Sequence, residues 1–141
     1  MSRRIVIDTN VFGSALRSSR GASHQLLRLI GTGLFDVALS VPLVLEYEEA
    51  AKRLSELTGL SDQDVDDIID YLCSVAQLYE IHFLWRPVLR DPEDDHVLEL
   101  ASEAGCEVIV THNVKDFAGC EEFGIEVRTP GDFLRTIGVS K

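Results

Sequence analysis

Carboxylates stand in this chain at the points where strands end and helices begin. Asp8 follows the apolar run Ile5-Val6-Ile7 and precedes Thr9 and Asn10. An Asp at a strand end is costly to bury alone, so it needs a cation, a backbone cap or water. Glu46 lies in V-L-E-Y-E-E-A, one turn into a helix whose apolar partners do not assign it cleanly to solvent. The segment R-D-P-E-D-D-H-V-L-E-L-A places Asp91, Glu93, Asp94 and Asp95 within five positions, ahead of an apolar helix face. One or two of these would cap the helix, and four repel one another unless a cation intervenes. T-H-N-V-K-D-F then brings Thr111, Asn113 and Asp116 onto a strand-end loop. Each is an ordinary turn residue taken singly. Together these segments deliver oxygen ligands to one sheet edge, which suits a hard octahedral cation such as Mg²⁺ or Mn²⁺ without His or Cys.

The elements that must position these groups follow from apolar spacing. Residues 3–7, 36–40 and 107–111 read as strands of continuous apolar character, and 80–85 and 126–127 as further strands. Helical spacing marks 23–30, ended by Gly31 and Gly33, and a helix from Ser40 and Pro42 to about Leu57. Ser61 and Asp64 open an amphipathic helix over 62–79, with apolar positions from Val65 to Tyr79 at three, four and seven spacing. A helix over 94–104 is closed by Gly105, and Thr129-Pro130 opens the last one. Alternating strands and helices with buried strands predict a three-layer α/β/α sandwich around a mainly parallel sheet, one domain over residues 1–141. Ligands of such sheets lie beyond the carboxyl ends of the strands.

Composition removes several classes. The 141 residues carry 13 Lys+Arg and 24 Asp+Glu, a net charge of -11. A protein that coats nucleic acid through counterion release is basic, so this chain is not a general nucleic-acid binder. The charge is uneven: five Arg against two Asp in residues 1–40 give +3, and four basic against 15 acidic residues in 41–100 give -11. Three cysteines (Cys73, Cys106, Cys120) without a C-x-x-C pair disfavour a disulfide scaffold and a zinc ribbon. They read as buried thiols in a reducing compartment, the cytoplasm. No apolar run approaches the roughly 18 residues that would span a membrane, and Asp8 ends the N-terminal apolar stretch before a signal-peptide core forms.

I-D-T-N-V near the N-terminus, L-E-Y in the second long helix, D-P-E-D-D-x-x-L-x-L-A and V-T-x-N-x-x-D-F resemble, in order, the successive motifs of PIN domains. Within that family the chain is most similar to the VapC-like toxin components of toxin–antitoxin pairs. The resemblance covers essentially the whole chain, and each motif alone is weak. It implies a Mg²⁺- or Mn²⁺-dependent endoribonuclease whose acidic residues are Asp8, Glu46, Asp95 and Asp116. Asp95 is preferred to Asp94 because the family's Asp precedes the first aliphatic residue of its helix, here Leu98, by three positions. Asp94, Asn10, Thr111 and Asn113 are alternatives or supporting groups. The resemblance also implies a small antitoxin that presents Arg or Lys to the acidic cleft. The acidic helix 62–79 matches none of these motifs.

In the implied chemistry, carboxylate-held cations polarise a phosphodiester and acidify a water that attacks phosphorus in line, leaving 5′-phosphate and 3′-hydroxyl ends. His96 and His112 flank the motifs as proton carriers or simply as polar residues at a helix start and a loop, whereas His24 and His82 carry no signal. The basic N-terminal third, Arg3, Arg4, Arg17, Arg20 and Arg28, offers phosphate contacts that reduce the conflict with the net charge. The main rival is a non-catalytic, degenerate domain of the same fold that binds metal or a partner. A receiver domain needs adjacent acids after the first strand, and an aspartate-nucleophile phosphatase needs an Asp where Asn10 stands. Helices between residues 41 and 79 hold more apolar positions than a small sheet covers, which predicts a homodimer.

Overall fold

β1 (Arg3–Ile7) occupies the middle of the sheet, and Ile5, Val6 and Ile7 are at most 1% exposed. It pairs in parallel with β2 (Phe35–Leu39) on one side and with β4 (Val108–Val110) on the other. β3 (Gln77–Leu78) extends the sheet beyond β2, and β5 (Glu126–Arg128) extends it beyond β4. The order is β3-β2-β1-β4-β5, with every pairing parallel. These elements belong to a computed structural model that describes residues 3–81 and 92–139. Covered on both faces, parallel strands become the continuous apolar runs seen in the sequence. The fold is the expected three-layer α/β/α sandwich.

Seven helices lie among the described residues: α1 (Thr9–Arg17), α2 (Ala22–Arg28), α3 (Val41–Arg53), α4 (Ser55–Thr58), α5 (Asp62–Val75), α6 (Pro92–Glu103) and α7 (Pro130–Thr136). α1 packs on α2 and α3, α3 on α5, and α2 on α7, while α6 lies against β1, β2 and β4. None of them is long and apolar enough to cross a membrane. The helix starts follow the sequence closely. Ser40 accepts from the Leu43 amide, Thr129 from the Asp132 amide, and Ser61 and Asp64 form a reciprocal capping box.

Three departures have physical causes. The sequence pattern assigns nothing to residues 9–17, because Thr, Asn, Val, Phe and Gly are weak helix formers. Asp8 caps α1 there, and burial of Val11, Phe12 and Ala15 outweighs local propensity. The expected helix 40–57 divides at Leu54 into α3 and α4, and α4 ends on Gly59 at φ 74°. α5 stops at Val75 rather than at residue 79, because Gln77 and Leu78 find ladder partners on the free edge of β2, where the Tyr79 amide also bonds Leu39 O at 2.8 Å. The outermost strand is therefore 77–78; of the expected strand 80–85, residues 82–85 lie outside the described residues. Gly31 is required twice over: its φ is 86°, and a Cβ would come within 2.9 Å of the Tyr71 hydroxyl.

Cys106 and Cys120 are buried free thiols, and burial pushes them up to about 12 and about 11 respectively. Cys73 is half-buried and also raised, first by burial and then by Asp70. All three are held toward the neutral thiol, the less nucleophilic form.

Candidate active site

The chain fills β1, β2 and β3 in succession on one side, then crosses to β4 and β5 on the other. The point of reversal lies between the carboxyl ends of β1 and β4, where adjoining loops diverge and leave a crevice. Asp8 follows β1 and Thr111 follows β4. The Asp8 amide donates to Val110 O at 2.9 Å, and the Thr111 amide to Arg128 O at 2.9 Å, so ladder bonds anchor both residues.

Asp8 is only 8% exposed. One oxygen accepts from the Thr9 amide at 2.9 Å and the other from the Thr111 hydroxyl at 2.8 Å. Each oxygen keeps a lone pair. Burial raises its pKa, the two hydrogen bonds oppose the rise, the Glu46 charge adds to it and His96 opposes it; the net shift is upward. An ionised Asp8 is thus held at an electrostatic cost that a cation would relieve.

Glu46, on the second turn of α3, is held from both sides. Thr9 Oγ1 donates to it at 2.7 Å, and His96 Nε2 lies 2.5 Å from its other oxygen. Burial pushes the Glu46 pKa up, but the bonds to His96 and Thr9 outweigh it and bring the value below the ordinary one. For His96, burial favours the neutral ring, and the bond and charge of Glu46 with the charges of Asp8 and Asp94 reverse this, so its pKa is raised. His96 Nδ1 is buried and has no hydrogen-bond partner among the described residues. Beneath the site, the Tyr47 hydroxyl donates to Ile7 O, and the Tyr47 ring stacks on Phe12 with centroids 4.5 Å apart. This contact joins α1, α3 and β1 under the two carboxylates.

A cleft of about 500 Å³ opens at this point, lined by Asp8, Thr9, Asn10, Glu46, Glu49, Arg53, Asp94, His96, Asn113 and Asp116. Asp8, Glu46 and Asp116 all line this cleft, Asp116 from the 3₁₀ turn Val114–Phe117. At the start of α6 stand both Asp95, the preferred residue, and Asp94, its alternative. Asp94 lines the cleft, whereas Asp95 is not among its lining residues and its charge is felt at the buried Cys120 thiol. Neighbouring helix residues point about 100° apart, so a single turn cannot aim both at one place. Asp91 lies outside the described residues.

The supporting polar residues form a frame. Thr111 Oγ1 accepts from Asn10 Nδ2 at 3.3 Å and from the Asn113 amide at 3.1 Å, and Asn10 Oδ1 accepts from the His112 amide at 3.2 Å. His112 is turned away to bond Ser23 Oγ at 3.0 Å, so it ties the last motif to α2 and does not line the cleft. Thr9, Tyr47, Glu49 and Arg53 are site residues that the motif reading did not single out. For Glu49 and Arg53, the i,i+4 ion pair of opposite charge was the legible signal.

The donor set is rich in carboxylate, hydroxyl and amide oxygen, the chemistry of a hard divalent cation. Among the described residues, no three His, Cys, Asp or Glu side chains stand close enough to hold one ion. The carboxylates share a cleft that is wider than a single coordination sphere.

A family model for the PIN domain matches residues 4–115. No curated protein matches the chain. Among solved structures it is similar to VapBC2 from Rickettsia felis, determined bound to a DNA fragment from their promoter. The TM-score is 0.59 at 11% identity, covering 89% of this chain and 98% of the other. At that identity the likeness concerns the fold.

Proposed function

From the premise that the chain belongs to the PIN domain family, we propose that it is a Mg²⁺- or Mn²⁺-dependent endoribonuclease, the toxin of a toxin–antitoxin pair acting in the cytoplasm. The observation that carries this reading is the convergence of Asp8, Glu46, Asp94 and Asp116 on one cleft at the switch point of a parallel sheet. Asp8, Glu46 and Asp116 are the assigned metal-binding carboxylates. The position at the start of α6 is shared between Asp95, which the motif favours, and Asp94, which the cleft favours. When bound, the divalent cation supplies charge against the phosphodiester and lowers the pKa of an attacking water.

The chain's own residues do the positioning. Thr9 and Thr111 fix both oxygens of Asp8 before any ligand arrives, which reduces the reorganisation needed during reaction. Thr9 also orients Glu46, so one residue sets the relative placement of two carboxylates. His96 holds a proton at Nε2 against Glu46 at the cleft wall, where it keeps Glu46 oriented. Asn10 and Asn113 keep the last motif at the cleft wall.

Restraint of such an activity calls for a small inhibitory protein. An Arg or Lys that it presents to Asp8, Glu46 and Asp95 would compete with metal, and Arg pairs two carboxylates at once. The exposed apolar side chains Val41, Leu45, Tyr71 and Leu78 support a homodimer through the helices between residues 41 and 79.

The test is cleavage of single-stranded RNA with and without Mg²⁺ or Mn²⁺, with thermal melting in parallel. Metal-dependent cleavage by the wild type, at least about a hundredfold lower in Asp8→Asn and unchanged in Asp62→Asn, is expected. Metal should also raise the melting midpoint, because it binds the native state alone. Loss of activity in Asp62→Asn as complete as in Asp8→Asn would make the site assignment wrong. Metal-dependent stabilisation without cleavage would favour the non-catalytic binding module.

A further inference from the structure

The acidic cleft does not end at Glu49 and Arg53. It continues into a groove of about 360 Å³ between α1 and α3, which shares Thr9, Asn10 and Arg53 with the cleft and passes Gly13 and Ser14 to Arg17. From Ser14 and Arg17 a further depression of about 350 Å³ leads on past Ser18 to Leu57. From Thr9 to Arg17 the path follows the nine residues of α1, eight steps and about 12 Å at the helical rise. It is therefore a channel that starts at the carboxylates and runs outward beside two guanidinium groups.

The state of these guanidinium groups matters in a chain of net charge -11. Arg3, Lys52, Arg128 and Arg135 are each engaged by acidic side chains elsewhere. Arg17 is exposed and has no acidic partner among the described residues. Among the described residues Arg53 pairs only with Glu49, at 3.3 Å, both side chains being at least 70% exposed, and such an i,i+4 pair yields readily to a phosphate. The floor adds an independent sign. Gly13 stands in the middle of α1, where glycine is unfavourable, yet a Cβ would meet Leu54 Cδ1 at 3.5 Å, an ordinary contact. Packing within the chain does not demand the glycine, and its absent side chain keeps the floor low where a ligand backbone would pass.

Resting on the nuclease reading above, we infer that the α1–α3 groove is the path of a single RNA strand leaving the carboxylate cleft, with successive phosphates held by Arg53 and Arg17. The two depressions are each of small-molecule size, which suits one strand taken nucleotide by nucleotide and not the face of a duplex. Phosphate contacts of this kind position the strand without reading its sequence. They also explain how a strongly acidic protein handles a polyanion: the repulsive surface is avoided along one basic-edged track.

The experiment measures cleavage kinetics for the wild type, Arg17→Ala, Arg53→Ala and the double variant, with Arg135→Ala as control. Equilibrium binding of labelled single-stranded and duplex RNA across a salt series runs in parallel on the same proteins carrying Asp8→Asn. The expected result for the double variant is a KM and Kd raised about tenfold for every single-stranded sequence. Unchanged kcat and a salt slope smaller by about one per arginine should accompany it. A role of Arg17 confined to the helix dipole would lower the melting midpoint and leave the salt slope alone, overturning the groove. Metal-dependent cleavage with unaltered KM and slope in the double variant would also overturn it while leaving the nuclease reading intact. RNA binding that depends on both arginines without cleavage by the wild type would uphold the groove and overturn the nuclease. Tighter binding of duplex than of single strand would overturn the single-strand path.

Discussion

The ionisation of Asp8 and of Glu46 is set by burial and by their nearest neighbours. Asp94 and Asp95 make the sharpest comparison, since motif spacing favours one and cleft geometry the other. If the cleft geometry governs, Asp94→Asn lowers metal-dependent cleavage at least about a hundredfold and Asp95→Asn has the milder effect. The reverse order in single-turnover rates would restore Asp95. His96 and Glu46 give a pH prediction with a definite sign. The His96 pKa is raised above 6.5, so its contribution to stability is complete below pH 6.5 and is lost as pH rises through the higher native value. The Glu46 pKa lies below 4.5, so its contribution is complete above pH 4.5 and is lost as pH falls through the lower native value. The pair thus stabilises the metal-free protein most between pH 4.5 and 6.5. His96→Gln should lower the melting midpoint most between pH 4.5 and 6.5 and flatten its fall above pH 6.5, and an unchanged pH profile would show that the pair does not act in solution. Asp8 works oppositely, its raised pKa adding a penalty as pH climbs from 3.8.

The elements are held where they are by a few contacts beneath the cleft. The Tyr47 hydroxyl on Ile7 O and the Phe12–Tyr47 stack set the height of α3 against β1, and with it the separation of Glu46 from Asp8. α1 is the least self-sufficient of the helices at the site. It has Gly13 at its centre, and its stability comes from burying Val11, Phe12 and Ala15. Gly13→Ala should therefore stabilise the protein by about 0.5–1 kcal/mol, read from a denaturant midpoint at constant slope. A destabilised variant would mean that the space beside Leu54 is smaller than 3.5 Å allows.

For the molecule as a whole, the exposed apolar residues of α3, α5 and β3 are the candidates for a self-association surface. Val41 and Leu45 are on α3, Tyr71 and Val75 on α5, and Leu78 on the edge strand β3. Their exposures run from 38% to 63%, and burying them against a second copy would remove that apolar area from water. Light scattering over a concentration series should give a dimer mass, and Leu45→Glu with Leu78→Glu should return it to a monomer with cleavage retained. A monomeric mass at every concentration would remove the dimer. Such a dimer would leave the cleft free for both substrate and inhibitor.

Periodicity and capping residues determined most of the elements, because strands buried on both faces have to be apolar throughout, and Ser40, Ser61 and Thr129 satisfy the helix-start amides locally. The carboxylates at strand ends were legible for a related reason: parallel sheets expose functional groups only at those ends. Local sequence did not reveal α1, since its favourable terms are the burial of Val11, Phe12 and Ala15 in packing against α2 and α3 that forms only in the folded chain. It did not distinguish Asp94 from Asp95, because which of two adjacent residues faces the cleft depends on the rotation of α6 as it packs on β1, β2 and β4. Nor did it show that Thr9 serves both Asp8 and Glu46, or that the cleft runs on toward Arg17. Thr9 and Glu46 stand 37 positions apart and the groove joins α1 to α3, and only the closing of α3 against β1 and α1 brings these elements together.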